Sequence, residues 1–427
     1  MKTKLFSLVG FSLQQHSLKT EVLSGLTTFS TMSYILALMP IMFAPLAAQG
    51  FPLDSMLTAT ILATTIGTLL MAFLAKRPIG QAPGLALNMF FVQTVCISLG
   101  YSWQFALTAV LLEGMLFVLL CISNLRQIIF EMMPASLKYA IAAGIGFFIA
   151  TIGFKNSGLM AEGTFFNHIN TLVSAPSLLF LLGLILAGTF IVLHIRGGLI
   201  LTIIIITIIG IPFGVTTVPD HLFSMPKSPA PLFCQFSWED LLTPDLWVCV
   251  LTMLFFDVFD TLGSVVGLMA NSGHIRKNGR IPHMRSIMLS DAIATMTGAC
   301  LGCSTVTTYV ESATGVAEGG RTGLTALVIA ICFMLSLFLA PLFLAIPAAA
   351  TAPIMVMAGF YLFGSIRHIR LARPQETMPA FLTILLMPAT GSITDGIIAG
   401  LFSFVIFSFI DGWMNRRKQK KNNKDNE

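Results

Sequence analysis

The sequence predicts an all-α polytopic membrane protein of fourteen transmembrane segments, arranged as two inverted seven-span repeats with short strand–helix breaks in spans 3 and 10. Three observations predict it. The 427 residues are 56% hydrophobic and only 10% charged, with a mean hydropathy of +0.86; soluble domains are about 25% charged. Predominantly apolar segments of spanning length recur from Leu36 to Phe409, and about 20 such residues cross a bilayer as a helix. With a cytoplasmic N-terminus, all of the 24 Lys and Arg except Lys155 and Lys227 fall in cytoplasmic loops and tails, as the positive-inside rule asks.

The spans read 21–46, 56–75, 79–98, 103–122, 137–154, 176–194 and 198–215 in the first half. In the second they read 246–270, 286–302, 304–320, 323–345, 350–366, 376–390 and 394–412. The expected organisation is a cytoplasmic N-terminus (1–20), a first repeat (21–215), an extracytoplasmic loop (216–245), a second repeat (246–412) and a basic cytoplasmic tail (413–427). Residues 1–20 are basic and polar and lead into a span, with no cleavage pattern of a signal peptide. The loop is rich in Pro and aromatic residues. The tail, RRKQKKNNKDNE, is expected to be disordered. The net charge of +5 sits in loops and tails and gives no reason to expect nucleic acid. Cys300 and Cys303 form a CxxC without a second pair or a His beside it, and the seven His lack ligand spacing. No metal and no cofactor are therefore expected. No phosphate-binding loop supports ATP-driven transport.

Two spans read as broken. The third opens with AKRPIGQAPGLALN (Ala75–Asn88), where Pro78, Gly80, Pro83 and Gly84 precede a helical run from Asn88. The tenth opens with GCSTVTTYVES (Gly302–Ser312), extended before a helical run near Glu311. Both hold the same place in their halves, and matched breaks are the best sequence pointer to a midplane binding site. Seven spans per half, an odd number, make the repeats inverted.

Acids at membrane depth are costly and mark functional sites. Asp257 and Asp260 lie at i and i+3 of span 8, sharing a face with Thr261 and Ser264. Glu311 follows Thr307, Thr308 and Tyr309 at the break of span 10. A carboxyl there can load a proton, or accept paired N–H donors from a flat heterocycle. Asn88, read at the break of span 3, suits either capping or substrate hydrogen bonding. Glu113 in span 4 is placed to pair across helices, and Asp291 reads as structural. Phe259, Phe90 and Phe91 are near enough in sequence to these polar positions to stack on a ring.

At these residues the chain resembles the xanthine/uracil permease superfamily, and most closely its AzgA-like branch of purine permeases for adenine, guanine and hypoxanthine. The motifs are EVLSGLTTFSTMSYI (Glu21–Ile35), APGLALNMFF (Ala82–Phe91), FFDVFDTLGSVVGLM (Phe255–Met269) and TVTTYVESATGVAEGGRTGLTAL (Thr305–Leu327). The resemblance implies a core of spans 1–4 and 8–11, a gate of spans 5–7 and 12–14, and a base held between the breaks of spans 3 and 10. It implies binding by Asp260 and Glu311, with backbone groups near Val310, the break before Asn88 and the first span near Thr31 completing the pocket. It also implies proton symport, and the residues themselves offer Asp257 or Glu311 as the acid that takes the proton. Two positions depart from the branch: Met39 stands before Pro40 where Asn is usual, and Leu85-Ala86 stands where Met-Gly is usual.

The expected function is a proton-coupled purine nucleobase permease of a bacterial inner membrane, working by alternating access. Its partners are the base, the proton and the lipid bilayer, with a homodimer left open. Two rivals remain. One is a same-fold transporter of another small substrate such as an anion, which two acids without a basic partner do not favour. The other is a membrane-embedded aspartyl enzyme, whose two aspartates should face each other from different helices.

Overall fold

The structure, a computed structural model, describes residues 8–12, 16–123, 135–161, 164–165, 174–193, 195, 198–219, 221–271, 283–309, 311–369, 373–391 and 393–425. In chain order these form α1 (Leu18–Met32), α2 (Tyr34–Phe43), α3 (Leu53–Leu70), β1 (Gln81–Pro83), α4 (Leu85–Met89), α5 (Trp103–Ile122) and α6 (Ala135–Asn156). A short antiparallel pair of β2 (Met160–Ala161) and β3 (Thr164–Phe165) follows, then α7 (Ala175–Val192), α8 (Gly198–Gly210), α9 (Pro244–Asn271) and α10 (Met284–Cys300). The chain continues through β4 (Val306–Thr308), α11 (Ser312–Ala317), α12 (Gly323–Ser336), α13 (Ala340–Leu344), α14 (Ala348–Phe363), α15 (Pro374–Thr390) and α16 (Ile393–Asp425). Each apolar segment read from the sequence has its helix, or its strand and helix, among the described residues. Six helical stretches there are long and apolar enough to cross a membrane by length and composition: Leu18–Gln49, Leu53–Ala75, Trp103–Ile122, Ala175–Val192, Gly323–Leu344 and Ala348–Arg367.

Local chemistry sets the starts and interruptions. Ser102 accepts from Phe105 N at 3.2 Å to start α5, and Ser174 accepts from Ser177 N at 3.4 Å to start α7, each satisfying an orphan donor of a first turn. Span 1 is not one straight helix. It turns at Ser33 between α1 and α2, and Pro40 lies inside α2. Span 3 is β1, then α4, continued as a π-helix over Phe90–Ser98.

Two readings need correction. The helix of span 3 starts at Leu85 and not at Asn88: Gly84, extended at φ −71°, is its cap, and Asn88 N already bonds to Gly84 O at 2.8 Å. Gly84 makes the break because a Cβ there would come within 2.8 Å of Thr307 Cγ2. The basic tail is not irregular either: α16 continues as helix to Asp425. No proline follows the span and no glycine follows Gly412 to stop it, and Lys, Arg and Gln are good helix formers.

Contacts divide the chain into two compact units. The first comprises 1–125 with 153–354. Within it the two halves of the sequence interleave: α10 packs on α3 and α5, α9 on α5, α12 on α1 and α3, and α11 on α1. Glu21 of α1, only 1% exposed, ties α12 down by accepting from Arg321 N at 3.1 Å, Thr322 N at 3.4 Å and Thr325 Oγ1 at 2.5 Å. The second unit comprises 126–152 with 355–427. There α15 packs along α16, with Gly396 and Gly400 against Met387 and Thr383. Small residues of this kind let helix backbones approach where lipid offers no hydrophobic drive.

Gly315 shows how tight the first unit is. A Cβ there would lie 2.1 Å from Thr28 Oγ1 and 2.5 Å from Ser24 O of α1. Overpacking typically costs about 1–3 kcal/mol. Gly315→Leu is expected to lower the thermal unfolding midpoint of the detergent-purified protein. Gly188→Ala, where a Cβ meets nothing within 4 Å, is expected to leave it in place.

Candidate functional site

The site is built on a ribbon made by the two broken spans. β1 and β4 pair antiparallel in the register Gln81↔Thr308, Ala82↔Thr307 and Pro83↔Val306. Pro83 and the β-branched run Val306-Thr307-Thr308 favour extended backbone. Gly84 N→Thr305 O (3.0 Å) and Tyr309 N→Gly80 O (3.1 Å) extend the pairing. Side chains satisfy the outer edges. Thr68 Oγ1 accepts from Gln81 N at 3.0 Å and donates to Gln81 O at 3.1 Å. Thr295 Oγ1 donates to Val306 O at 2.9 Å, Gly80 N to Ser312 Oγ at 3.0 Å, and Tyr309 Oη to Pro83 O at 2.7 Å.

Five acids surround this ribbon, and threonines link it to them. Thr307 Oγ1 donates to Asp260 Oδ2 at 3.3 Å and lies 3.1 Å from Thr261 Oγ1. Thr305 Oγ1 donates to Glu113 Oε2 at 3.0 Å. Thr308 Oγ1 reaches Asp291 Oδ1 at 3.4 Å, Gln81 Nε2 donates to the same oxygen at 2.7 Å, and Thr261 donates to Asp291 Oδ2. Thr295 Oγ1 lies 3.5 Å from Asp257 Oδ2. Glu311, at the cap of α11, accepts from Tyr34 Oη at 2.5 Å.

The acids divide by exposure. Glu113, Asp257 and Asp291 are fully buried, whereas Asp260 and Glu311 keep accessible surface and are near enough to act electrostatically on one another. Among the described residues no Lys, Arg or His forms an ion pair with any of the five. Two open clefts, one lined by Phe223, Met225 and Leu335 and one by Phe51, Asp54 and Lys227, hold none of these acids.

The structure brings Thr31 to the same place. Its Oγ1 lies 3.0 Å from Thr314 Oγ1 and 3.5 Å from Glu311 O. Asn88 is 0% exposed and engaged elsewhere: Ser304 donates to its Oδ1, and its Nδ2 lies 2.9 Å from Met39 Sδ. One residue that departs from the branch thus meets one of its motif residues. Phe90 and Phe91 are core rings, against Phe256 (6.1 Å between centroids) and Phe43 (5.5 Å). Phe259 lies on α9, and Val310 lies outside the described residues. Sequence reasoning missed Tyr34, Thr307 and Gln81 as partners of the acids. The signals were present: a tyrosine three residues after Thr31, and a TVTT run that sets three hydroxyls beside the acids of spans 8 and 10.

Asp291 has the densest set of donors. Gln81→Leu removes a hydrogen bond to a buried carboxyl, worth about 0.5–1.5 kcal/mol. That variant is expected to unfold at lower temperature and denaturant than the wild-type protein, measured by intrinsic fluorescence in detergent.

Comparison with known proteins agrees with this architecture. The xanthine/uracil permease model, described as a permease family, matches residues 19–398. A guanine/hypoxanthine permease of Bacillus subtilis, PbuO, is 37% identical, covering 92% of each chain. An adenine permease of Escherichia coli, AdeQ, is 33% identical over 94% of this chain and 90% of its own. Among solved structures, the transmembrane domain of a cyanobacterium bicarbonate transporter, BicA, superimposes with a TM-score of 0.65 at 16% identity, over 90% of this chain and 97% of that one. At that identity the likeness speaks for the fold alone.

Proposed function

The chain belongs to the xanthine/uracil permease family of membrane transporters, and on that footing we propose that it carries purine nucleobases in symport with protons. The relatives named as guanine/hypoxanthine and adenine permeases support the substrate class. The observation that carries the reading is the accessibility of Asp260 and Glu311 beside three sealed acids. A neutral purine presents N–H donors along its edge, and two carboxylates can accept them. The Tyr34 hydroxyl on Glu311 holds one such acceptor in place until the base arrives.

In this reading Thr31 lines the pocket, Phe259 stacks on the ring, Val310 offers its backbone, and Asn88 supports the break through Ser304 and Met39. The base is exposed to one side of the membrane at a time. The protein lies in a bacterial inner membrane with both termini cytoplasmic and crosses it fourteen times in two inverted repeats. A homodimer is compatible with it. The fold likeness to a bicarbonate transporter would by itself allow an anion as substrate. An anion would meet acids with no cation of the described residues paired to them, which makes the neutral base the better-supported cargo.

Uptake of labelled adenine, guanine and hypoxanthine into proteoliposomes under an inward acid gradient tests this, with xanthine and uracil as competitors. Charge-assisted hydrogen bonds contribute about 1.5–3 kcal/mol, so Asp260→Asn and Glu311→Gln are each expected to cut uptake about tenfold or more. Intact uptake and proton dependence in both variants would falsify the site.

A further inference from the structure

Glu113 and Asp257 have no place in a base-binding pocket, yet they are the most unusual pair in the molecule. They come from different helices, α5 and α9, which pack on one another. Both are 0% exposed. One oxygen of each has a partner or near partner: Glu113 Oε2 accepts from Thr305 at 3.0 Å, and Asp257 Oδ2 lies 3.5 Å from Thr295 Oγ1. The remaining oxygens, Glu113 Oε1 and Asp257 Oδ1, are buried and receive no protein donor. The two carboxyls lie within hydrogen-bonding reach of each other.

Carboxylate oxygens only accept, so a hydrogen bond between two carboxyl groups requires one of them to carry a proton. The other charged groups acting on the pair are Asp291 on α10 and Asp260 on α9, both acids, and no cation of the described residues acts on it. An apolar cluster that includes Phe117, Leu254 and Val258 lies beside it on the same two helices.

We propose that Glu113 and Asp257 share a single proton across the α5–α9 contact, and that this pair is the binding site of the transported proton. The proposal deepens the proton-coupled reading and rests on it for the transport role. Glu113 is then a proton-binding residue, and Asp257 acts with it and not alone. The step is a proton entering from one side and leaving to the other. While it is bound, one O–H donates to the facing carboxylate. When it leaves, two buried carboxylates face each other, an arrangement that holds only if the helices part or water enters. The route to the base runs through β4. Thr305 holds Glu113, Thr295 lies between Asp257 and Val306, and Thr307 on the same strand holds Asp260. Loss of the proton therefore acts on the strand that positions a base-binding acid.

Infrared spectroscopy of the purified full-length protein tests the pair without needing any substrate. The wild-type protein at neutral pH is expected to show the C=O stretch of a protonated carboxyl. Glu113→Gln and Asp257→Asn, each alone, should remove the same one-carboxyl share of that band, because an amide N–H replaces the shared proton. Either folded variant decides the matter if the other fails to assemble. A band of wild-type intensity in either would overturn the shared proton. In proteoliposomes, Glu113→Gln is expected to lose about tenfold of the acceleration that an inward acid gradient gives to purine uptake, while purine–purine exchange stays measurable. Wild-type gradient dependence in that variant would overturn the transport role. Absence of purine uptake by the wild-type protein would instead count against the proposed cargo and leave the infrared result standing.

Discussion

The interaction on which the rest depends is the pairing of β1 with β4. A broken span leaves backbone N–H and C=O groups that lipid cannot satisfy, each costing several kcal/mol. Here the break in one half of the chain satisfies the break in the other, residue against residue from Gln81↔Thr308 to Pro83↔Val306. Thr68, Thr295, Ser312 and Tyr309 complete the edges. Neither extended segment is plausible inside a membrane alone. Together they make a short rigid rod, from whose ends α4 and α11 continue.

The rod also explains the acids. Five carboxyl groups in one apolar region would repel one another: two unit charges 4 Å apart at an effective dielectric of 20 interact by about 4 kcal/mol. Threonines from β4 and its neighbours reach four of the five acids, and Tyr34 reaches the fifth. Glu113, Asp257 and Asp291 are sealed, and Asp260 and Glu311 remain accessible. That geometry fits the proposed division of labour, with accessible acids for a ligand and sealed acids for a proton and for support.

Much of this was legible in the sequence, for physical reasons that differ by element. Apolar runs and the placement of Lys and Arg mark the spans because the bilayer imposes length and charge rules on them. The two breaks were legible because Pro, Gly and β-branched residues are poor material for a spanning helix. The position of the first break was misread at Asn88, since the need for Gly84 arises from Thr307, more than 200 residues away, and no local pattern records it. The same limit hid Tyr34, whose role depends on α2 meeting the cap of α11. It also hid which acids are sealed, because exposure belongs to the packed structure and not to any one helix face. The tail was misjudged by composition: charge argued for disorder, while the helix propensity of the same residues carried α16 on to Asp425.

In the proposed function Asp260 and Glu311, set by the ribbon, hold one ligand between them. An experimentally determined structure of the protein in lipid nanodiscs with a bound purine tests it most directly. The base is expected with its N–H edge within hydrogen-bonding distance of both side chains, beside Thr31 and with the β1–β4 pairing intact. A base bound away from either acid would contradict it.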